Sequence, residues 1–399
     1  MSGLEDIVVV GTSLAGLRAV EALRSRGYEG RLVWIGEEPH LPYDRPPLSK
    51  EVLRGDWEPE RTALRRTGIE DLEVELRSGC RAEALDLADR CVVLSGGERR
   101  RFDGLVIATG ASPRRLPGCP SLPGVHVLRT LDDALAIRAA LDASPRVAVI
   151  GAGFIGSEVA ASCRKRGLDV ILIEALETPM ARGLDPEMGG LCAALHRDHG
   201  VDLRLGSTLG SFEGTQRVEG LRLGGGERVP ADLVLVGIGV VPETAWLASS
   251  GLDLDDGLLC DETLATKAPG VVAAGDVVRW RHPGHPSPLR LEHWTNAVEQ
   301  GSAAALRLLE GQAAPFAPVP FVWTDQYDAK IQIAGELSGA EETRVVYGAL
   351  AERRFVRLYG RGGRLIGAVA WNRPRQLMQV RRHLREGIAF ADAVAQAEA

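Results

Sequence analysis

Apolar residues along the chain fall mostly into short unbroken runs, each closed by a glycine-rich turn and followed by an amphipathic stretch. This is the pattern of strands buried on both faces that alternate with helices. Two stretches show it most fully. In the first, an apolar run at 7–10 meets Gly11-Thr-Ser13-Leu14-Ala15-Gly16, a helical run at 14–26, a stop at Gly27 and a second apolar run, Arg31–Ile35. In the second, Val147–Ile150 meets Gly151-Ala-Gly153-Phe-Ile155-Gly156, a helical run at 154–166, a stop at Gly167 and Val170–Ile173. Each predicts a βαβ unit in which Gly151 or Gly11 makes the tight turn and the third small position lets helix pack on strand. A pyrophosphate would sit at the positive end of the new helix. Two copies predict two dinucleotide sites in one chain.

The acids refine the picture. Glu174 closes the second unit, where a carboxylate accepts hydrogen bonds from a ribose 2′-hydroxyl and repels a 2′-phosphate. No Arg or Lys follows before Arg182, so NADH is expected rather than NADPH. In the first unit Ser13 stands at the middle glycine position, small enough to admit a phosphate. Glu37 and Glu38 follow the second strand, and Glu37 is the expected ribose ligand because it comes first after Gly36.

Between and after these units lie the other elements. Pro42-Tyr-Asp-Arg45-Pro-Pro-Leu-Ser-Lys50 is a proline-stiffened segment that holds Arg45 and Lys50 and leads into a helix at 49–53. A hairpin is expected from 81–86 and Cys91–Leu94, and a buried strand at 105–110 ends in Thr109-Gly110. Four prolines at 113–123 mark a linker. The spacing then predicts a helix over Leu131–Leu141, a meander from 203–212 and 218–223, and a closing strand at 231–239 that delivers Gly239 to the edge where ligands bind. A strand at 270–276 ends in Gly275-Asp276, Glu292-His-Trp294-Thr-Asn296 leads into a helix at 297–309, and after Pro315, Pro318 and Pro320 short strands and a final helix form a smaller unit. The fold class is therefore α/β, with two Rossmann-like dinucleotide-binding domains and a small α+β C-terminal domain. The expected domains are 1–113 with 243–318, 114–242, and 319–399.

Composition narrows the function. Of 399 residues 45% are apolar and 25% charged, ordinary for a globular protein, and the net charge of −7 argues against nucleic acid as a partner. No apolar run is long enough to cross a membrane, so a cytoplasmic protein is expected. Six scattered cysteines form no C-x-x-C pair, which excludes a zinc site and a redox dithiol close in sequence. From 353 to 385 ten arginines occur with no Asp or Glu among them. On an acidic chain that stretch is either a solvated face or a docking surface for an acidic partner.

Taken together, the two glycine units, the proline-rich segment, Leu128-Arg129-Thr130 with Asp132 and Asp133, Val149-Ile-Gly-Ala-Gly-Phe-Ile-Gly-Ser-Glu158, Gly275-Asp276 and Phe321-Val-Trp-Thr-Asp-Gln-Tyr327 resemble the NADH-dependent ferredoxin reductases. These are glutathione-reductase-like flavoproteins that include the reductase components of aromatic-ring dioxygenases. The resemblance implies an FAD domain in two pieces, an inserted NADH domain and a C-terminal interface domain. It implies that Gly11, Ser13, Leu14, Ala15 and Gly16 hold the FAD pyrophosphate and Glu37 its ribose. Arg45, Lys50, Ala82, Thr109, Gly110, Arg129 and Gly275 would line the cofactor, Asp276 would bind the ribityl chain, and Trp294 would lie beside the isoalloxazine. Gly151, Gly153, Ile155, Gly156, Glu158, Glu174 and Gly239 would hold NADH, with Lys50 and Glu158 as the catalytic pair near flavin N5. The implied function passes electrons from NADH through FAD to an acidic 2Fe-2S or similar ferredoxin that feeds a monooxygenase or dioxygenase, docking near the arginine-rich tail. An NADH oxidase or quinone-type reductase, and an NADH-sensing flavoprotein, stay open at this point.

Overall fold

The computed structural model describes residues 3–65, 68–116, 118–119 and 121–398. Eight helices are named here: α1 (Leu14–Ser25), α2 (Glu51–Arg54), α3 (Leu131–Leu141), α4 (Phe154–Lys165), α5 (Pro186–Asp198), α6 (Trp294–Glu310), α7 (Pro374–Glu386) and α8 (Phe390–Glu398). The chain divides into two compact units, one of Met1–Asp44, Ala63–Ser112 and Val241–Pro320, the other of Arg45–Thr62, Pro113–Val240 and Phe321–Ala399.

The first unit is built on a five-stranded parallel sheet in the order Val271–Ala273, Gly104–Ile107, Asp6–Val10, Arg31–Ile35, Glu75–Arg77. Its strands are almost wholly apolar because helices and loops cover both faces, which is how a parallel sheet hides its backbone. α1 and α6 approach so closely that a Cβ on Gly301 would lie 2.4 Å from the Ala15 carbonyl oxygen. The antiparallel strands Ala82–Asp86, Cys91–Leu94 and Arg99–Arg101 form the expected hairpin and one strand more.

The second unit repeats the plan with the order Asp202–Arg204, Val170–Ile173, Val147–Ile150, Leu233–Val236, Val125–His126, again all parallel. The expected meander starts later than its apolar pattern suggests. Leu203 pairs with Leu172 in the parallel sheet, and the meander itself is Leu209–Glu213, Gly220–Leu223 and Arg228–Pro230. The break falls at Gly206, whose φ of +62° turns the chain.

Other differences have equally local causes. The helix expected at 49–53 is a 3₁₀ turn, Pro46–Ser49, followed by α2, because Lys50, at φ −124° and ψ −99°, breaks the helical path between them. α6 begins at Trp294, three residues before the expected start, with His293 in an extended conformation as its cap. The last segment is a five-stranded antiparallel sheet in the order Phe321–Gln326, Ala329–Gly335, Arg364–Trp371, Arg354–Arg361, Glu342–Ala349, followed by two helices rather than one. Of the four linker prolines, Pro117 and Pro120 lie outside the described residues.

Candidate active site and nucleotide cradles

In the first unit, Gly11 follows the central strand at φ +121°, and a Cβ there would lie 2.0 Å from the Ala108 carbonyl oxygen. A Cβ on Gly16 would lie 1.9 Å from the Gly11 oxygen, which the Trp34 indole N–H also meets at 2.8 Å. Glycine is therefore required at both positions by the protein itself. Ser13 caps α1 with φ −99° and ψ −165°, and Gly153 caps α4 with φ −75° and ψ −168°. Both are extended conformations that any residue adopts, so serine at the middle position costs no backbone strain.

Gly153 answers whether a ligand fits the second cradle. A Cβ there would meet no atom of the described residues within 4 Å, whereas Cβ atoms on Gly151 and Gly156 would lie 2.4 Å from the Gly237 oxygen and 1.9 Å from the Gly151 oxygen. The space in front of Gly153 is open, as a pyrophosphate requires. Charge agrees. Neither α1 nor α4 carries an acid in its first turn, while α3 opens with Asp132 and Asp133 and α5 with Glu187. α6 and α7 also open without an acid, so this absence leaves the dipole of the cradle helices open to an anion without marking them out.

Glu174 sits beside the second cradle with Oε2 accepting from the Ala152 N–H at 2.7 Å and Oε1 from the Leu176 N–H at 2.9 Å. Gly239, at φ +102°, closes the same edge, with the Arg182 guanidinium 3.3 Å from where its Cβ would be. Ile155 is exposed in the first turn of α4. In the first unit, Thr109 donates its hydroxyl to the Glu243 carbonyl at 2.9 Å, Gly110 accepts from the Glu243 N–H, and the Gly275 N–H donates to Gln300 Oε1 at 2.8 Å. Leu14, Ala15 and Ala82 are buried, Asp276 is half-buried, and the Trp294 indole donates to Asp44 Oδ1 at 2.7 Å. Glu37 faces solvent and pairs with Arg81 at 2.9 Å.

The strongest electrostatic feature lies in the second unit. Lys50 and Glu158 are both 6% exposed, and Lys50 Nζ meets Glu158 Oε2 at 2.8 Å. The Ser49 hydroxyl donates to the same oxygen at 2.5 Å, while Glu158 Oε1 accepts from the Thr324 hydroxyl at 2.8 Å and the Asp325 N–H at 3.2 Å. A buried ion pair persists only when its remaining lone pairs and protons are satisfied, and here four donors surround one carboxylate. In the same unit the Arg45 guanidinium donates to the Arg129 carbonyl at 2.6 Å. The arrangement can hold a fixed ammonium in a dry setting, which is a means of stabilising negative charge on a neighbouring group.

The pattern of the pyridine nucleotide-disulphide oxidoreductase family matches residues 5–301, and that of a reductase C-terminal family matches 321–399. The chain belongs to the pyridine nucleotide-disulphide oxidoreductase family. It is 39% identical over 384 residues to rhodocoxin reductase of Rhodococcus erythropolis, covering 95% of this chain and 89% of that one. It resembles the reductase in the crystal structure of the covalent putidaredoxin reductase-putidaredoxin complex with a TM-score of 0.92 at 33% identity, covering 96% and 94% of the two chains. A ferredoxin reductase from Rhodopseudomonas palustris gives 0.91 at 35% identity, covering 96% of each. The resemblance read from the sequence is borne out, as is the fold of two dinucleotide-binding domains and a C-terminal domain.

For this oxidoreductase the pattern of apolar runs did not point to several polar residues. Thr324 and Gln326 are fully buried on the strand Phe321–Gln326, two residues apart, and that spacing of polar residues in an otherwise core-facing strand was the available signal. A cluster of buried His196 and Tyr327 with half-buried His199 was also unforeseen: His196 Nδ1 lies 2.9 Å from the Tyr327 hydroxyl, and the His199 ring stacks on Tyr327 at 3.8 Å. Burial, helped by His199, pulls His196 down to about 4. Burial likewise pushes the Cys163 and Cys192 thiols up to about 12, so neither is poised as a thiolate. Among the described residues no group of His, Cys, Asp and Glu could hold a metal ion, and no helix is long and apolar enough to cross a membrane.

Proposed function

We propose that this chain carries electrons from NADH through bound FAD to an acidic 2Fe-2S or similar ferredoxin, which in turn feeds a monooxygenase or dioxygenase. The observation that carries the reading is two glycine cradles in one chain together with a buried Lys50–Glu158 pair, in a protein that forms no disulfide among the described residues. Relatives named rhodocoxin reductase, putidaredoxin reductase and ferredoxin--NAD(+) reductase component of an anthranilate dioxygenase system support it along nearly the whole chain.

FAD, when bound, supplies the chemistry of taking two electrons as a hydride and releasing them singly. The chain's own residues supply the rest. The first cradle and residues 1–113 with 243–318 would hold FAD, 114–242 would hold NADH, and 319–399 would form the interface domain. Gly153 leaves room for the NADH pyrophosphate, Glu174 would accept from the ribose hydroxyl and repel a 2′-phosphate, and Lys50, fixed by Glu158, would face negative charge as it develops. Trp294, held by Asp44, would wall one side of the flavin. The reading belongs in the cytoplasm, where NADH is available.

The arginine-rich tail supplies a docking face narrower than its sequence. Arg353 pairs with Asp198 at 2.6 Å, Arg357 with Glu187 and Arg361 with Glu336, while Arg381 lies over the Phe321 ring. Arg375, Arg382 and Arg385 on α7 are exposed, Arg382 in a long 3.8 Å surface pair with Glu386, and would meet an acidic ferredoxin.

The test is a visible absorption spectrum of the purified protein, recorded anaerobically before and after NADH and again after a candidate ferredoxin. A yellow protein that NADH bleaches and ferredoxin restores is expected. A colourless preparation unable to take up FAD, or one that NADH leaves unbleached, sinks the proposal. Replacing Arg375, Arg382 and Arg385 by Ala should slow ferredoxin reduction and flatten its salt dependence while ferricyanide reduction is unchanged; equal loss in both assays removes the docking face.

A further inference from the structure

Buried hydroxyls and amides in a strand need partners, and where those partners lie reveals what the strand is for. On Phe321–Gln326 the two fully buried polar side chains, Thr324 and Gln326, lead to Glu158. The Gln326 Nε2 group lies 3.3 Å from Thr324 Oγ1 and 3.4 Å from Met180 Sδ, and the thioether, which can only accept, fixes the amide's orientation. An amide nitrogen only donates, so Thr324 accepts from Gln326 and has its own proton left for Glu158 Oε1, 2.8 Å away. The Asp325 N–H, at 3.2 Å, meets the same oxygen. The other oxygen belongs to Ser49 and Lys50, and the Ser162 hydroxyl donates to the Ser49 carbonyl at 2.7 Å, so that side is fixed from within the unit as well. Glu158 is thus gripped at one oxygen by the proline-rich segment and at the other by the C-terminal sheet.

We infer that Thr324 is a positioning residue of the electron-transfer site: through Glu158 it sets how much of the Lys50 positive charge is felt by the flavin. The inference rests on the reading that Lys50 faces bound FAD. Each donor turns the positive end of a dipole toward the carboxylate and offsets part of its charge. Removing the Thr324 hydroxyl leaves Oε1 with a single N–H, so the surroundings of Lys50 become more negative. A group that takes on negative charge when reduced is then harder to reduce.

The experiment is a dye-equilibrated redox titration of the FAD-loaded protein, with flavin content measured for each variant. Thr324→Val is expected to shift the reduction equilibrium about threefold toward the oxidised form, about 15 mV for a two-electron couple. Thr324→Ser should restore the wild-type value, and Glu158→Gln, which removes the negative charge, should move it the opposite way. Gln326→Leu, which frees the threonine hydroxyl to rotate, should give a smaller shift of the same sign as Thr324→Val, and it replaces that variant should the valine protein fail to hold FAD. A midpoint unmoved in Thr324→Val, or in Gln326→Leu where it substitutes, while Glu158→Gln moves it, overturns the role of Thr324 alone. A midpoint unmoved by Glu158→Gln overturns the underlying placement of the Lys50–Glu158 pair, and this inference with it.

Discussion

The two cradles share the spacing of their small residues, with Ser13 in the first where Gly153 stands in the second, and differ in how the acid is held. In the second unit Glu174 follows Ile173 directly, and both of its oxygens are fixed by backbone N–H groups, one of them from Ala152 inside the cradle. In the first unit the residue after Ile35 is Gly36, and a Cβ there would lie 1.9 Å from the hydroxyl oxygen of Thr12, the counterpart of Ala152. The larger side chain of Thr12 thus takes the space a carbon at that site would need, and the acid moves one residue on to the exposed Glu37. The small residues thus specify the turn and the phosphate space, while the residue between the first two of them, Thr12 or Ala152, decides where the carboxylate can sit. A pre-set carboxylate suits a ligand that enters and leaves; an exposed one leaves most of the grip on the ligand to other residues.

The largest expected effect tests the glycine half of this comparison. Gly16→Val drives a side chain into the Gly11 carbonyl and should cost at least ~4 kcal/mol, abolishing folded, flavin-binding protein, whereas Gly153→Ala meets only open space and should shift stability by less than ~0.5 kcal/mol in chemical denaturation while raising the KM for NADH. Equal losses of stability would show that the two glycine positions are not distinct in kind.

Each unit also holds a histidine away from water, half-buried His293 in the first and fully buried His196 in the second, held down to about 4 mainly by burial. Because the folded value lies below the ordinary one near 6.5, the unfolded chain binds the proton first. Stability is fully present above that range and falls as the pH drops from about 6.5 toward 4, by up to about 1.4 kcal/mol per pH unit for each histidine. Denaturation of His196→Phe at several pH values should give a shallower acid slope than wild type; an unchanged slope would remove His196 from the account.

Smaller effects separate the acids. Glu174→Ala should reduce the preference for NADH over NADPH about tenfold in kcat/KM, the worth of one charged hydrogen bond. Glu37→Gln should change the FAD dissociation constant less than about threefold, since its pair with Arg81 is largely exposed and screened. A tenfold loss of FAD affinity there would make Glu37 a principal ribose ligand and erase the contrast between the cradles.

Much of this was legible locally. The runs Val147–Ile150 and Val170–Ile173 and the capped helix Leu131–Leu141 fall where their apolar periods and boundary residues put them, because a strand buried on both faces and a Thr130 to Asp133 capping box leave little choice. Where one residue turned the backbone, as at Lys50 and Gly206, the boundary shifted by a few residues.

The sequence alone determined two nucleotide cradles, their order along the chain and a carboxylate, Glu174, at the end of the second strand of the second unit, since each depends on residues within one βαβ unit. Tertiary structure decided what surrounds Glu158. Ser49, Lys50, Glu158 and Thr324 come from segments separated by as many as 275 positions, and burying a carboxylate forces together whatever donors the fold can bring to it, which no local spacing records.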